Sequence, residues 1–353
     1  MLATEPDRTS DGKLPTIRDV AARAGVSVMT VSRVINKQSW VSPKTRSRVE
    51  EAIAALNYAP SAVARALAGS DDRRVALLYR ASTTSAYLGE LLLGALDNAA
   101  DHRLHLVVER CDGASAEEIV AQVQHARVSG VILPPPLCDW RELIEALAAK
   151  KIKAVSIAPD IVDSGELTIA IDDKHAAFEM TRHLIELGHR NIGFIKGNPQ
   201  HRASARRLEG FRQAMRANGL SDDEQWIVPG DFSYRSGLDA AERLLDLPVR
   251  PTAIFACNDD MAAAAITIAH QRQIDVPAQL TVCGFDDTPL ANAIWPTLTT
   301  IHQPIRDMSR EALALLAAEI REGGTANPHV KLDYRLIRRQ SDAVPPRRPK
   351  TGV

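Results

Sequence analysis

Between Thr16 and Asn36 the chain reads Thr-Ile-Arg-Asp-Val-Ala-Ala-Arg-Ala-Gly-Val-Ser-Val-Met-Thr-Val-Ser-Arg-Val-Ile-Asn. The chemistry open to this spacing is the reading of base edges. Ala21 is small, Gly25 follows four residues later, and Val31 falls six after that. A large side chain at Ala21 would push a second helix off the first. Gly25 can take the left-handed backbone that ends a helix, and Ser27 is a good N-cap for the next. Val20, Ala24, Val26 and Val34 supply the remaining inward positions. Two short helices so joined form a helix-turn-helix, whose second helix enters the DNA major groove.

No catalytic constellation competes with this reading. The sequence has no G-x-x-x-x-G-K-[ST] loop, no H-E-x-x-H and no G-x-S-x-G. Several Asp pairs occur, among them Asp172-Asp173, Asp222-Asp223, Asp259-Asp260 and Asp286-Asp287. Adjacent residues on a strand point to opposite faces, so these make poor paired catalytic carboxylates. Cys111, Cys138, Cys257 and Cys283 form no C-x-x-C pair and stand beside no His at ligand spacing. They read as reduced thiols. The expectation is a non-enzyme without metal or cofactor.

The elements that must position these residues follow from texture. The chain has 353 residues, enough for two or three domains. Its net charge of −1 hides an asymmetry. From Lys13 to Gly69 nine basic residues face three acids, a surplus of six, so the remainder is acidic. A basic head on an acidic body suits a DNA-binding domain joined to a ligand or oligomer domain. The first ten residues lack an apolar signal segment, and no run of 18 apolar residues exists. A cytoplasmic protein without membrane contact is expected.

Residues 1–14 read as a flexible tail and 15–60 as the helix-turn-helix domain. Within the latter, Ser42 and Pro43 open a third helix running to Asn57. Residues 61–69, Ser-Ala-Val-Ala-Arg-Ala-Leu-Ala-Gly, read as a helix too short to be stable alone. Residues 70–74 form a charged linker. From 75 to 339 short apolar runs alternate with amphipathic stretches in two series. That pattern predicts an α/β core of two lobes with parallel sheets. Residues 340–353 are rich in Pro, Arg and Lys and read as a disordered tail.

The order of parts resembles the LacI/GalR family of bacterial repressors. T-I-R-D-V-A-x-x-A-G-V-S, T-V-S-R-V-I-N, V-S-x-x-T-R, L-N-Y-x-P and A-x-x-L-A-G carry the resemblance at the N-terminus. In the body it rests on five further stretches. These are His183 to Arg190, Arg207 to Phe211, Asn258 to Ala262, and Gly284 to Asp287 with Pro296 to Ile301. The resemblance implies an all-α head, a hinge helix and a two-lobed, periplasmic-binding-protein-like core. It also implies a homodimer on near-palindromic double-stranded operator DNA.

What it implies for single residues is specific. Val28, Met29 and Arg33 would contact bases: Arg can pair bidentately with guanine, while Val and Met offer apolar contact. Packing on the first helix is the other reading of Val28 and Met29. Ser27, Thr30, Ser32, Asn36 and Thr45 would hold the DNA backbone. Val63, Ala64 and Leu67 of the hinge would enter the minor groove, with Leu67 as wedge. In the core, Arg207, Asn258, Asp286 and Gln303 would bind an effector. Phe232 and Trp295 would cover an apolar face of it, and Tyr87 would complete the first-lobe side.

Charged and bidentate groups of this kind suit the hydroxyls of a sugar. The expected function is therefore a repressor of carbohydrate-utilisation genes with a sugar-like effector. A nucleobase, nucleoside or phosphorylated metabolite acting as corepressor is the alternative. A sugar-binding transport protein and an enzyme are the rivals from other classes. Two departures stand out: Ser85-Ala86-Tyr87-Leu88 replaces a common N-P-F-F, and Ala158-Pro159 stands where a polar residue is common. Ser341–Val353 cannot form a leucine-heptad tail, so a dimer is the expected assembly.

Overall fold

The computed structural model describes residues 15–35, 40–58, 73–82, 85–159, 166–323 and 329–346. Residues 1–14, Asn36, the hinge segment with Val63, Ala64 and Leu67, and 347–353 lie outside the described residues. The chain divides into two compact units, Met1–Asp72 and Arg73–Val353.

The first unit contains α1 (Ile17–Ala24), α2 (Val28–Ile35) and α3 (Pro43–Ala55). Helix α1 opens where the amide and hydroxyl of Thr16 both donate to Asp19 Oδ2, at 2.7 Å each. It closes at Gly25, whose φ of 61° is left-handed. There the amide of Val26 reaches Ala21 O at 3.0 Å and that of Gly25 reaches Ala22 O at 3.3 Å. These bonds satisfy carbonyls that the helix end leaves open. Ser27 Oγ accepts the Thr30 amide at 3.1 Å to start α2. Ser42 Oγ accepts the Thr45 amide at 3.3 Å to start α3.

The three helices bury one small core of Val20, Ala21, Ala24, Val31, Val34, Val49, Ala52 and Tyr58. A fully buried Val contributes roughly 1.5–3 kcal/mol, which a unit this small needs. Arg48 Nη2 donates to Ala24 O at 2.5 Å and ties α3 to the end of α1.

The second unit alternates strands and helices. Its first lobe takes β1 (Arg73–Tyr79), α4 (Ser85–Ala99), β2 (Leu104–Arg110), α5 (Ala116–His125), β3 (Val128–Leu133), α6 (Arg141–Ala149), β4 (Lys153–Ile157) and β5 (Leu167–Ala170). The second lobe begins with α7 (Asp173–Glu186), β6 (Ile192–Ile195), α8 (Arg202–Ala217), β7 (Ile227–Val228) and α9 (Tyr234–Leu245). It continues with β8 (Ala253–Ala256), α10 (Asp259–Gln271), β9 (Thr281–Asp286), α11 (Pro289–Ala293) and β10 (Thr299–His302). The chain then returns to the first lobe for α12 (Ile305–Glu322) and β11 (His329–Lys331), and ends in the second with β12 (Arg335–Ile337).

Each lobe holds one six-stranded sheet, ordered β11-β5-β4-β3-β1-β2 and β12-β10-β9-β8-β6-β7. The first is parallel throughout. The second is parallel except that β12 runs antiparallel to β10 on its edge. Strands β6, β8 and β9 are buried along their whole length. That matches their near-continuous apolar runs, because helices cover both faces of such sheets. The chain passes between lobes three times, at 171–172, 303–304 and 332–334. The second passage delivers α12 onto α4.

Two boundaries differ from the sequence reading. Strand β1 starts at Arg73, inside the expected 70–74 linker, and Arg73 Nη1 donates to Ile320 O at 2.6 Å. More substantially, the disordered tail expected from residue 340 is ordered as far as Pro346. Ser341 Oγ donates to Val282 O at 2.6 Å and accepts the Thr299 amide at 2.8 Å. Asp342 accepts from Thr299 Oγ1 at 2.5 Å and meets His183 Nε2 at 2.8 Å. His189 bridges Thr252 Oγ1 and Ala343 O, at 2.8 and 2.9 Å. Composition missed this strap because polar groups, not apolar ones, hold it. The stretch from His183 to His189 thus clamps the C-terminal segment.

Candidate functional site

Helix α2 turns two faces in opposite directions. Val31 and Val34 face the core. Val28 is 41% and Met29 62% exposed, and Arg33 is exposed with them. Packing on α1 does not account for these side chains. Val28 and Met29 open the helix and Arg33 follows Met29 by one turn, so all three share an open side that a major groove could admit. Ser27 is exposed, and Thr30, Ser32 and Thr45 are half-buried near the helix starts. The Ser27 and Thr30 hydroxyls are 2.9 Å apart, as are those of Ser42 and Thr45. Hydroxyls and amides at helix N-termini suit phosphate oxygens.

In the second unit a partly open cavity lies between the lobes. It is lined by Ser82, Tyr87, Pro135, Ala158, His201, Ala203, Arg207, Phe232, Asn258, Asp286 and Gln303. Most of these stand at or just past the carboxyl ends of strands, where open α/β sheets bind ligands. Of the seven core residues expected at an effector site, six are gathered here. Trp295 is not: it is 74% exposed, in the loop between α11 and β10, and does not line the cavity. Its assignment as an effector contact is corrected on that ground.

Arg207 is the centre of the polar wall and is 4% exposed. Its Nε donates to Asp173 Oδ1 at 2.8 Å, Nη1 to Cys257 O at 2.5 Å, and Nη2 to Gln303 Oε1 at 3.2 Å. Nη1 also lies 3.6 Å from Asp286 Oδ1, and the guanidinium stacks 3.6 Å from the Phe285 ring centroid. Burial pushes the Asp286 carboxyl well above its usual range, against the pull of Arg207. Burial and the Asp286 charge likewise push the Tyr87 phenol up, so it stays protonated. Gln303 Nε2 donates to Tyr87 Oη at 3.3 Å, joining the crossover to α4.

Asn258 works twice. Its Oδ1 accepts the Met261 amide at 3.0 Å, capping α10, and its Nδ2 donates to Phe232 O at 2.8 Å. The second bond holds Phe232 at φ 75°. Ala158 at 55° and Asp286 at 107° share this left-handed region. Non-glycine residues there store strain and concentrate at binding sites. The Phe232 ring fits because Gly197 lacks a Cβ; one built there would lie 2.1 Å from ring carbon Cζ.

Sequence reasoning missed His201 and Asp173. His201 precedes α8 and its ring lies 5.0 Å from that of Phe232. Asp173 opens α7 and neutralises Arg207. The premise that the Asp pairs lie on strands also needs correction. Asp172 caps α7, Asp259 and Asp260 open α10, and only Asp286 belongs to a strand. Helix N-termini favour carboxylates. Asp259 is fully buried, accepting from the Thr288 amide and hydroxyl and from Thr300 Oγ1, at 2.7, 3.1 and 2.6 Å. Those bonds join α10 to β10 and make it a structural carboxylate. Among the described residues no group of His, Cys, Asp or Glu could hold a metal ion, and no helix is long and apolar enough to cross a membrane. The four cysteines are buried free thiols.

A helix-turn-helix head joined to a two-lobed core with a polar cavity defines a ligand-responsive DNA-binding regulator. Comparison with known proteins agrees. Residues 16–61 match the model of bacterial regulatory proteins of the lacI family, and residues 181–341 match a periplasmic binding protein-like domain. Catabolite control protein A of Priestia megaterium is 33% identical over 330 residues, covering 92% of this chain and 98% of that protein. The structure of the Lac repressor dimer bound to operator and an anti-inducer matches with a TM-score of 0.84 at 29% identity. That match covers 94% of this chain and all of the other. A complex of the regulator CelR with cellobiose matches at 0.71 and 31% identity, over 93% and 99% of the two chains. The chain belongs to the LacI family of transcriptional regulators.

Proposed function

We propose that this regulator is a homodimeric repressor of carbohydrate-utilisation genes whose sugar-like effector binds in the interlobe cavity. Each head takes one half-site of a near-palindromic operator, so operator symmetry mirrors the two-fold axis of the dimer. Arg33, Val28 and Met29 read bases from the open face of α2, while Ser27, Thr30, Ser32, Asn36 and Thr45 hold phosphates. Residues 61–69, with Val63, Ala64 and Leu67, act as the minor-groove hinge. Effector binding shifts the dimer between states that do and do not hold operator. It works in the cytoplasm, where its DNA is.

One observation carries the effector reading: six residues from separate parts of the sequence converge on one cavity at the strand ends. The relatives lend support, since one is titled as a cellobiose complex and another as bound to operator. The test selects operators from random DNA with the purified protein, then titrates the best one in gel shifts with a panel of sugars and nucleosides. The expected result is a near-palindromic consensus and a shift in affinity with at least one sugar. An asymmetric consensus overturns the paired-head reading, and a response to nucleosides alone overturns the sugar reading.

A further inference from the structure

The charges on the cavity wall do not leave a cation for the ligand. Among the described residues, Arg207 is the one Lys or Arg that lines the cavity, and its guanidinium is already engaged. It gives hydrogen bonds to Asp173, the Cys257 carbonyl and Gln303. Asp286 lies against it as a second carboxyl. Two carboxyl groups therefore face one guanidinium. Whether Asp286 is charged or protonated, the cluster carries no net positive charge. A buried phosphate or carboxylate entering it would lose hydration without finding a free counter-charge.

The second observation is two polar atoms without partners. His201 is 7% exposed, and its Nε2 is buried with no hydrogen-bond partner. Asp286 Oδ1 is likewise buried without one, its Arg207 neighbour at 3.6 Å being too far for a hydrogen bond. Native proteins rarely leave such atoms unpaired, because a buried polar atom that has lost its water and found no partner is destabilising. Burial, with Arg207 nearby, lowers the His201 imidazole to about 4, so it is a neutral donor or acceptor at physiological pH. Its ring lies beside Phe232, which offers an apolar face.

We infer that the cavity takes an uncharged polyhydroxylated ligand, rejects the phosphorylated or carboxylated form of the same ligand, and uses His201 and Asp286 to bond its hydroxyls. This rests on the reading of the cavity as the effector site. His201 is then a specificity residue supplied by the start of α8, outside the motifs that mark the family. Ala158 and Pro135 offer the opposite wall no charge to change the balance.

The test uses the full-length protein and matched probes in titration calorimetry: glucose, glucuronate and glucose 6-phosphate, and ribose with ribose 5-phosphate, plus cellobiose. At least one neutral probe should bind, about tenfold or more tighter than its charged counterpart. His201→Leu should weaken that probe about tenfold or more, and His201→Gln should recover part of the loss. Circular dichroism confirms that the variants fold. A phosphorylated or acidic sugar that binds tighter than its parent overturns the inference while leaving the site reading intact. So does a neutral probe that is insensitive to His201→Leu but lost in Phe232→Ala. Binding insensitive to both changes, or no binding by any probe, neutral or charged, overturns the site reading and the inference with it.

Discussion

Arg207 Nε donates to Asp173 Oδ1 at 2.8 Å in a buried pair that joins α8 to the first residue of α7. The same arginine lines the cavity. One side chain therefore serves both the fold of the second lobe and the wall that a ligand meets.

Arg207→Ala should cost stability as well as ligand binding. It would leave Asp173 buried without its counter-charge, a loss of roughly 3–5 kcal/mol. Urea denaturation of both proteins measures this. Loss of effector response with unchanged unfolding would mean the pair contributes nothing to the fold. Arg207→Ala together with Asp173→Ala should recover part of the stability, since no lone charge remains.

Arg33→Ala should relax sequence preference. A bidentate contact to guanine is worth about 1–3 kcal/mol of discrimination. Gel shifts on the selected operator and a scrambled duplex separate the outcomes. An equal loss on both would reassign Arg33 to the phosphates.

Gly197→Ala should close the cavity from beneath. The added Cβ would lie 2.1 Å from the Phe232 ring and push it toward the ligand space. Overpacking of this kind costs about 1–3 kcal/mol. The sugar-induced rise in Tm should vanish while operator binding persists. A retained Tm rise would show that Phe232 does not touch the ligand.

Asp342→Asn should flatten the acid limb of the stability profile. Burial pushes the Asp342 carboxyl up, but the His183 and Thr299 hydrogen bonds outweigh this and hold it below the usual range. A depressed folded-state value adds stability above the unfolded carboxylate range, and that stability is lost as pH falls through the folded value. Asn should lose about 1–3 kcal/mol near pH 7, less as pH drops toward 3. Guanidine denaturation at pH 7, 5 and 3.5 checks the trend. Parallel profiles for the two proteins would remove Asp342 from the acid response.

Much of this was legible in residue types and spacing. Gly25, Ser27, Ser42 and Pro43 punctuate helices where local chemistry alone demands it. Helical and strand periods gave the two parallel-sheet lobes, while the antiparallel β12 depends on a crossing that no local pattern encodes. Trp295 was carried over from the resemblance as a cover for the ligand, but its loop faces solvent. His201 carried no periodic signal: it is the N-cap, outside the helical repeat that pairs Ala203 with Arg207. The partners of Ser341 and Asp342 are about forty or more residues distant in sequence, beyond any window of periodicity.

Gln303 stands on the second interlobe passage, accepts from Arg207 and donates to Tyr87 on α4. Pro304 follows, and then α12, the helix packed on α4. The floor of the cavity is therefore also a fulcrum. One side chain thus lines the cavity, braces Tyr87 and heads the passage into an 18-residue helix, so the cavity wall and the join between the lobes share a residue.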